Sequence, residues 1–355
     1  MPATPDATVP ARTSTMNTPR EVSEHDRLRL GVIGTGRIAR DYLGILSESR
    51  SLELVAVCDS DEHARDRATA NTSVPGFASV REMLAAARLD CAVVLTPPVS
   101  HEPISMQLLG QRISVLCEKP LAVTPSAAGR MRHTAERNET LLMMASKFRY
   151  VPDLIEARDM IAGGVIGDPI LFENAFCSRV DMTQRWNANA EVSGGGVLID
   201  NGCHSTDIVR LLLGPIVRVF AHFGRRVQPI RVEDSVRMMF ETATACVGLI
   251  DVSWSVDKAT DHYVSIQGSQ GTIQIGWKGS RYRVHDESEW HVFGSGYEKR
   301  AAISAQLANF AAAIRGREEP AVTGEDALAS VRAIDAGYRS ARVGRWVPLQ
   351  GFTNS

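Results

Sequence analysis

The stretch GGGVLIDNGCH at 194–204 sets an Asp and a His four residues apart behind three glycines. The residues that follow, STDIVRLLLG, read as a helix ending at Gly214. On a helix, side chains at i and i+4 lie one above the other, so Asp200 and His204 are expected as neighbours. Val197, Ile208 and Leu211 share their stripe at 3.6 residues per turn. Two ionisable groups therefore stand in the apolar row of an amphipathic helix. Either they satisfy each other in a core, or the row faces a cavity where chemistry happens. A metal site built from Asp200, His204 and Asp207 is disfavoured, because Asp207 lies off the His204 face and no HxxxH or CxxC pattern supports it. No metal is expected.

A second pattern supplies such a cavity. GTGRIA at 34–39 fits G-x-G-x-x-G/A, follows an apolar strand (RLGVI) and opens a helix. Gly34 gives the sharp turn, Gly36 lets a pyrophosphate approach the backbone, and Ala39 permits close helix–sheet packing. The phosphates rest on the helix N-terminus. Thr35, Arg37 and Ile38 complete the turn. Asp59 ends the second strand, followed by Ser60, and is placed to accept from the adenosine ribose hydroxyls. A carboxylate there repels a 2′-phosphate, so NAD is expected rather than NADP.

Lysine usage is the third signal. Of 39 basic residues only five are lysine, at 119, 147, 258, 278 and 299. A chain so biased towards arginine is expected to keep Lys where a compact, titratable ammonium is needed, although some lysines persist on any surface. Lys119 falls in EKP at the carboxyl end of a strand, where open α/β sheets place their ligands. Pro120 restricts the backbone before it to extended forms.

Around these residues, strands at RLGVI, LELVAVC, CAVVL, SVLC and TLLMMAS alternate with helices of about 10–15 residues, which means a parallel sheet with helices on both faces. After about residue 149, a helix leads into strand-like runs separated by short turns: PILFENAFCS, PIVRVFAHFGRRV, DSVRMMFETATACVGLIDVSWSV, DHYVSIQGSQGTIQIG and SRYRVHD. This predicts an antiparallel sheet, closed by two helices at roughly 301–315 and 324–342. The fold class is α/β: a disordered tail at 1–27, a Rossmann dinucleotide-binding domain at 28–148, and an α/β domain with a large, mainly antiparallel sheet at 149–355.

With 355 residues, 44% of them hydrophobic, the chain suffices for two domains with real cores. A net charge of −2 gives no support for a nucleic-acid partner. No apolar run is long enough to cross a membrane. The first 27 residues lack a signal-peptide core, and six scattered cysteines without a CxxC pair read as reduced thiols. A cytoplasmic protein is expected.

The motifs together resemble the Gfo/Idh/MocA oxidoreductase family, which includes glucose–fructose oxidoreductase and inositol dehydrogenase. GVIGTGRIA (31–39), LVAVCDSD (54–61), TPPVSH (96–101), CEKP (117–120), FRYVP (148–152), GGGVLIDNGCHSTDIVRLLLG (194–214), GSQGTIQI (268–275) and AGYRSARVGRWVPL (336–349) carry the likeness, in order, from about residue 28 to 350. The resemblance implies that Lys119, Asp200 and His204 form the catalytic set. It implies that Thr96, Pro97 and His101 line the cofactor near the nicotinamide, and that the second domain serves homodimer or homotetramer contacts.

Residue chemistry agrees with these roles. Oxidising a secondary alcohol sends a hydride to nicotinamide while a base removes the hydroxyl proton. His204, with an ordinary pKa near 6.5, suits the base. Lys119 would stabilise developing alkoxide charge. Asp200 would orient the imidazole or clamp an adjacent hydroxyl, and the glycines at 194–196 would let the helix start close to the ring. Glu118 is expected at the nicotinamide carboxamide or capping the turn. Lys147, in SKFRYVP, falls where family members put substrate contacts. Of Glu173, Asn174, Arg179 and Trp186, one or two should touch substrate, with Trp186 stacking on a sugar face and Trp254 in the sheet core. The expected activity is NAD-dependent oxidation of a ring secondary alcohol on a small polyol: a sugar, a sugar derivative such as a glycoside or aminoglycoside, or a cyclitol. An NAD-assisted glycoside hydrolase and a tight-cofactor sugar–sugar oxidoreductase are the alternatives on the same fold.

Overall fold

The computed structural model describes residues 27–349. The expected tail therefore lies, Arg27 apart, outside the described residues.

The first half is β1 (Leu28–Ile33), α1 (Ala39–Leu46), β2 (Leu52–Cys58), α2 (Glu62–Thr72), β3 (Gly76–Phe77), α3 (Val80–Ala86), β4 (Cys91–Val94), α4 (His101–Gly110), β5 (Ser114–Glu118), α5 (Pro125–Arg137) and β6 (Leu142–Ala145). The strands pair in parallel in the order β3-β2-β1-β4-β5-β6. This is the doubly wound Rossmann arrangement, whose strand order reverses between β1 and β4 and so leaves a crevice at their carboxyl ends. β4 reads CAVV because helices cover both faces of a parallel sheet, and all four residues are buried.

The second half begins with a 3₁₀ turn (Lys147–Tyr150) and α6 (Pro152–Ala162). There follow β7 (Pro169–Cys177), the short helices α7 (Ala190–Ser193) and α8 (Val197–Asp200), α9 (Gly202–Leu213), β8 (Ile216–Phe223), β9 (Ser235–Thr242), β10 (Val247–Ser253), β11 (His262–Gly268), β12 (Gly271–Gly276), β13 (Ser280–Val284), β14 (His291–Phe293), α10 (Lys299–Ile314), α11 (Gly324–Val343) and β15 (Val347–Pro348). Nine strands form one sheet in the order β14-β13-β12-β11-β7-β10-β9-β8-β15. β10 runs parallel to β7 and the other pairs are antiparallel. One face is packed and one open, so β9 alternates: Val236, Met238 and Phe240 are buried while Arg237 and Met239 are exposed.

The long apolar run from 234 to 256 is a hairpin. Its turn lacks the Asn-Gly or Gly-Gly signature and is held by the Thr242 hydroxyl, which accepts from the Cys246 amide. The two-residue β3 and three-residue β14 carry no hydrophobic period of their own. The closing helices belong to both halves. α11 packs on β8 of the large sheet and on α5 and β6 of the Rossmann half, while α10 contacts α1 and the 147–150 turn.

Candidate active site

The fingerprint turn has the geometry its residues predict. Gly34 has φ +90°, and a Cβ there would stand 2.8 Å from the Leu95 carbonyl carbon and the Thr96 nitrogen. A Cβ on Gly36 would meet no atom within 4 Å, so the turn leaves open space where a pyrophosphate approaches. Ala39 is fully buried against the sheet. Asp59 is also structural: its carboxylate accepts from the Thr35 amide (2.6 Å) and hydroxyl (3.0 Å), and from the Asp61 amide (2.9 Å). The amide bonds hold the turn open, and the residues present fit an NAD cofactor.

Arg37 and Ile38 of that turn open onto a cleft of about 710 Å³ between the two sheets. Thr96, Glu118, Lys119, Lys147, Trp186, Asp200 and His204 all line it. Lys119 follows the end of β5, and the Lys119–Pro120 peptide is cis. Its Nζ donates to Asp200 twice, to Oδ1 at 2.6 Å and to the main-chain carbonyl at 2.9 Å.

That carbonyl is available because the helix is broken. The sequence predicts one continuous helix through Asp200 and His204, but α8 ends at Asp200 and α9 begins at Gly202. The His204 amide donates to Asn201 rather than to Asp200, which leaves the Asp200 carbonyl to the lysine and to the Cys203 thiol (3.2 Å). Asp200 thus orients Lys119, and among the described residues no hydrogen bond joins it to the imidazole. Burial is the largest single influence on the Lys119 pKa and would lower it, but the charges of Asp200, Cys203 and Glu118 together with the hydrogen bond to Asp200 outweigh the lost solvation and raise it above the ordinary lysine value.

His204 is buried, with its imidazole at the cleft. Its Nδ1 is enclosed without a hydrogen-bond partner, so Nε2 is the nitrogen open to the cavity. The Phe148 ring packs edge-on against it at 5.1 Å between centroids. Burial, and then the Lys119 and Lys147 charges, hold its pKa well below 6.5. The ring is therefore neutral at pH 7.

Two of the three glycines make room for residues distant in sequence. A Cβ on Gly195 would fall 2.0 Å from the Tyr338 hydroxyl, and one on Gly196 would fall 2.0 Å from the Glu233 carbonyl oxygen. The buried Glu233 carboxylate accepts from the Gly196 amide (3.0 Å), the Leu198 amide (3.1 Å) and the Tyr338 hydroxyl (2.7 Å). It caps the start of α8 and hangs Asp200 from the sheet and from α11. Burial raises its pKa despite those bonds. Glu233 and Tyr338 are positioning residues that no local motif announced.

Two expectations are corrected, for His101 and Asn174. His101 is fully buried and away from the cleft: its ring nitrogens lie 2.8 Å from the Pro120 carbonyl and 2.7 Å from that of Thr96, clipping the two loops together. A neutral imidazole donates to one of these at a time. Asn174 is buried within β7, donating to the Tyr263 carbonyl, and does not line the cleft. Glu173 faces outward from β7, and Arg179 lies on a separate surface hollow. Trp186 alone of that group reaches the cleft, half exposed on a 3₁₀ turn. Trp254 is buried as expected, with an edge on the cavity.

Other nearby charges are committed elsewhere. Asp207 takes a bidentate guanidinium from Arg149 and the Ser146 hydroxyl, so it is no metal ligand. Glu118 accepts from the Lys119 amide (3.0 Å) and from the buried Tyr42 hydroxyl (3.2 Å), which Gln306 of α10 also reaches. Lys299, beside Asp41 of α1, and Arg185 also line the cleft. Sequence reasoning passed over both, although the scarcity of lysine pointed to Lys299.

A Rossmann fingerprint opening onto a lysine–histidine cleft defines an NAD-dependent oxidoreductase. The chain belongs to the Gfo/Idh/MocA family: residues 28–146 match the oxidoreductase family's NAD-binding Rossmann fold, and 158–349 match its C-terminal alpha/beta domain. It is 27% identical to D-apiose dehydrogenase of Paraburkholderia graminis over 92% of this chain and 91% of that one. Among solved structures it resembles GenD2 from gentamicin A biosynthesis in complex with NAD (TM-score 0.82, 26% identity, 95% and 100% of the two chains). It also resembles the WlbA dehydrogenase of Bordetella pertussis in complex with NADH and UDP-GlcNAcA (TM-score 0.79, 25% identity, 91% and 99%).

Proposed function

We propose that this protein oxidises a ring secondary alcohol of a sugar, sugar derivative or cyclitol to a ketone, with His204 as base. The observation that carries the reading is the meeting, in one cleft, of a neutral buried imidazole and a lysine kept cationic by Asp200. NAD, when bound, supplies the hydride acceptor. His204 Nε2 takes the hydroxyl proton, for which a neutral ring is required. Lys119 donates to the same oxygen, where negative charge grows as that proton leaves. Asp200 holds the ammonium in place through both its carboxylate and its carbonyl.

The turn at 34–38, with Asp59, Ser60, Thr96, Pro97 and Glu118, is assigned to the cofactor. Lys147 and Trp186 are assigned to substrate together with Lys119, Asp200 and His204. The relatives' names as dehydrogenases of sugars and of an inositol support the substrate class. The open face of the nine-stranded sheet, where Leu171 and Met239 are exposed, supports a homo-oligomer. Six free cysteines without a disulfide suit a reducing compartment such as the cytoplasm. Among the described residues no helix is long and apolar enough to cross a membrane. The test is incubation with NAD and a panel of sugars, glycosides, aminoglycosides and cyclitols, followed at the NADH absorbance band. A panel without any signal would overturn the reading.

A further inference from the structure

Three of the chain's five lysines, 119, 147 and 299, line this one cleft. Two are neutralised: Lys119 by Asp200 and Lys299 by Asp41. Lys147 is not. It heads the 147–150 turn, and among the described residues its ammonium makes no hydrogen bond or ion pair. Its Nζ stands instead 5.8 Å from the Phe148 ring centroid and 5.9 Å from that of Tyr297. Phe148 in turn packs on the His204 imidazole. The cation therefore sits beside the aromatic ring that packs on the base.

A largely desolvated ammonium with no counter-ion costs free energy unless an anion arrives with the ligand. Its neighbours aggravate the cost. Burial, with the charges of Lys119 and Lys299, lowers its pKa against the opposing pull of Glu118 and Asp200. Arg185, also without an ion-pair partner among the described residues, adds a further positive charge to the same cavity. In a chain of net charge −2, this is a local concentration of positive charge. The cofactor's phosphates have their own seat at the α1 N-terminus, whereas the Lys147 ammonium stands against Phe148 and Tyr297.

We propose that Lys147 anchors an acidic substituent of the substrate, a carboxylate or a phosphate on the sugar, and that this contact selects acidic over neutral sugars. The inference rests on the dehydrogenase reading above. The aromatic rings confine the ammonium without competing for it as an acceptor, and an anion placed there leaves the ring hydroxyls free to reach Lys119 and His204.

The test uses the NADH complex of the full chain. Binding of D-glucuronic acid, D-glucose 6-phosphate and D-glucose, with their galacto and manno counterparts, is read by NADH fluorescence and thermal shift. Wild type, K147M and K147R are compared. At least one acid should bind about 10- to 100-fold more tightly than its neutral partner. K147M should remove that advantage and K147R restore part of it, with NADH affinity unchanged in all three. A carboxylate source and a phosphate source are told apart by which acids show the preference. The proposal is overturned if no acid is preferred, if K147M keeps the preference, or if K147M weakens NADH binding instead. Turnover is scored separately. Neutral sugars oxidised with no acid preference sink this inference alone, whereas Lys147-dependent acid binding with no sugar oxidised sinks only the dehydrogenase reading.

Discussion

The carboxylate of Asp200 belongs to Lys119, and the His204 four residues on stands without it. Nζ of the lysine is 2.6 Å from Oδ1, whereas His204 Nδ1 is buried with no partner. On the proposed reading the aspartate acts through the lysine. D200N should keep the fold and lower kcat by about 100-fold, the scale on which a donor aimed at developing charge acts. Loss of the Asp200 charge should also lower the Lys119 pKa, bringing the alkaline limb of the pH–rate profile down. A D200N enzyme with unchanged kcat and alkaline limb would show that the pair only ties the two halves together.

His204 should govern the acid limb. H204A is expected to lose about 10²–10⁴-fold in kcat. Because burial and two lysines depress its pKa, the acid limb of kcat/KM in wild type should fall below about pH 6.5, and K147M should move it upward. A limb above neutrality, unmoved by H204A, would assign the base elsewhere.

The same residue makes a stability prediction. Its folded pKa lies below its unfolded value, so the unfolded chain binds the proton more readily. The contribution of His204 is complete above about pH 6.5 and is lost as pH falls below it. H204Q should flatten the decline in Tm between about pH 6.5 and 5 by scanning calorimetry. Parallel wild-type and H204Q curves would argue against a depressed pKa.

Two glycines should fail in opposite ways. G196A drives a methyl into the Glu233 carbonyl oxygen, and overpacking of this kind costs about 1–3 kcal/mol, or roughly 2–10 °C in Tm. G36A meets no atom within 4 Å, so its Tm without cofactor should stay close to wild type while NAD affinity drops. Equal Tm losses in both would contradict the assignment of Gly36 to cofactor approach.

Asp59 should decide cofactor choice. D59A removes the repulsion towards a 2′-phosphate but also the acceptor that holds the Thr35 amide. KM for NAD should rise, and the kcat/KM ratio of NADP to NAD should rise by about tenfold or more. A preference for NAD that survives the substitution would place the discrimination in another residue.

Much of this site was legible in the chain because its parts are local. Gly34, Gly36 and Ala39 carry a backbone requirement that only small residues meet, and Lys119 sits where a parallel strand ends. What escaped depends on contacts distant in sequence. Gly195 and Gly196 look like freedom for a helix start, yet they make room for Tyr338 and Glu233. A periodicity argument cannot see the break at Asn201, since Asp200 and His204 keep helical spacing on either side of it. His101 and Asn174 are polar residues at suggestive positions that the fold spends on main-chain carbonyls, and sequence spacing alone cannot distinguish that use from ligand contact.

α11 lies at residues 324–343 and yet covers α5 and β6 of the Rossmann half. During synthesis at about 5–20 residues per second, those surfaces emerge on the order of ten seconds or more before the helix that shields them. The nascent Rossmann half thus waits with an uncovered flank, and a fragment cut near residue 150 keeps that flank permanently. Family boundaries divide this chain into two regions, but the completed fold needs its last long helix before either region is closed.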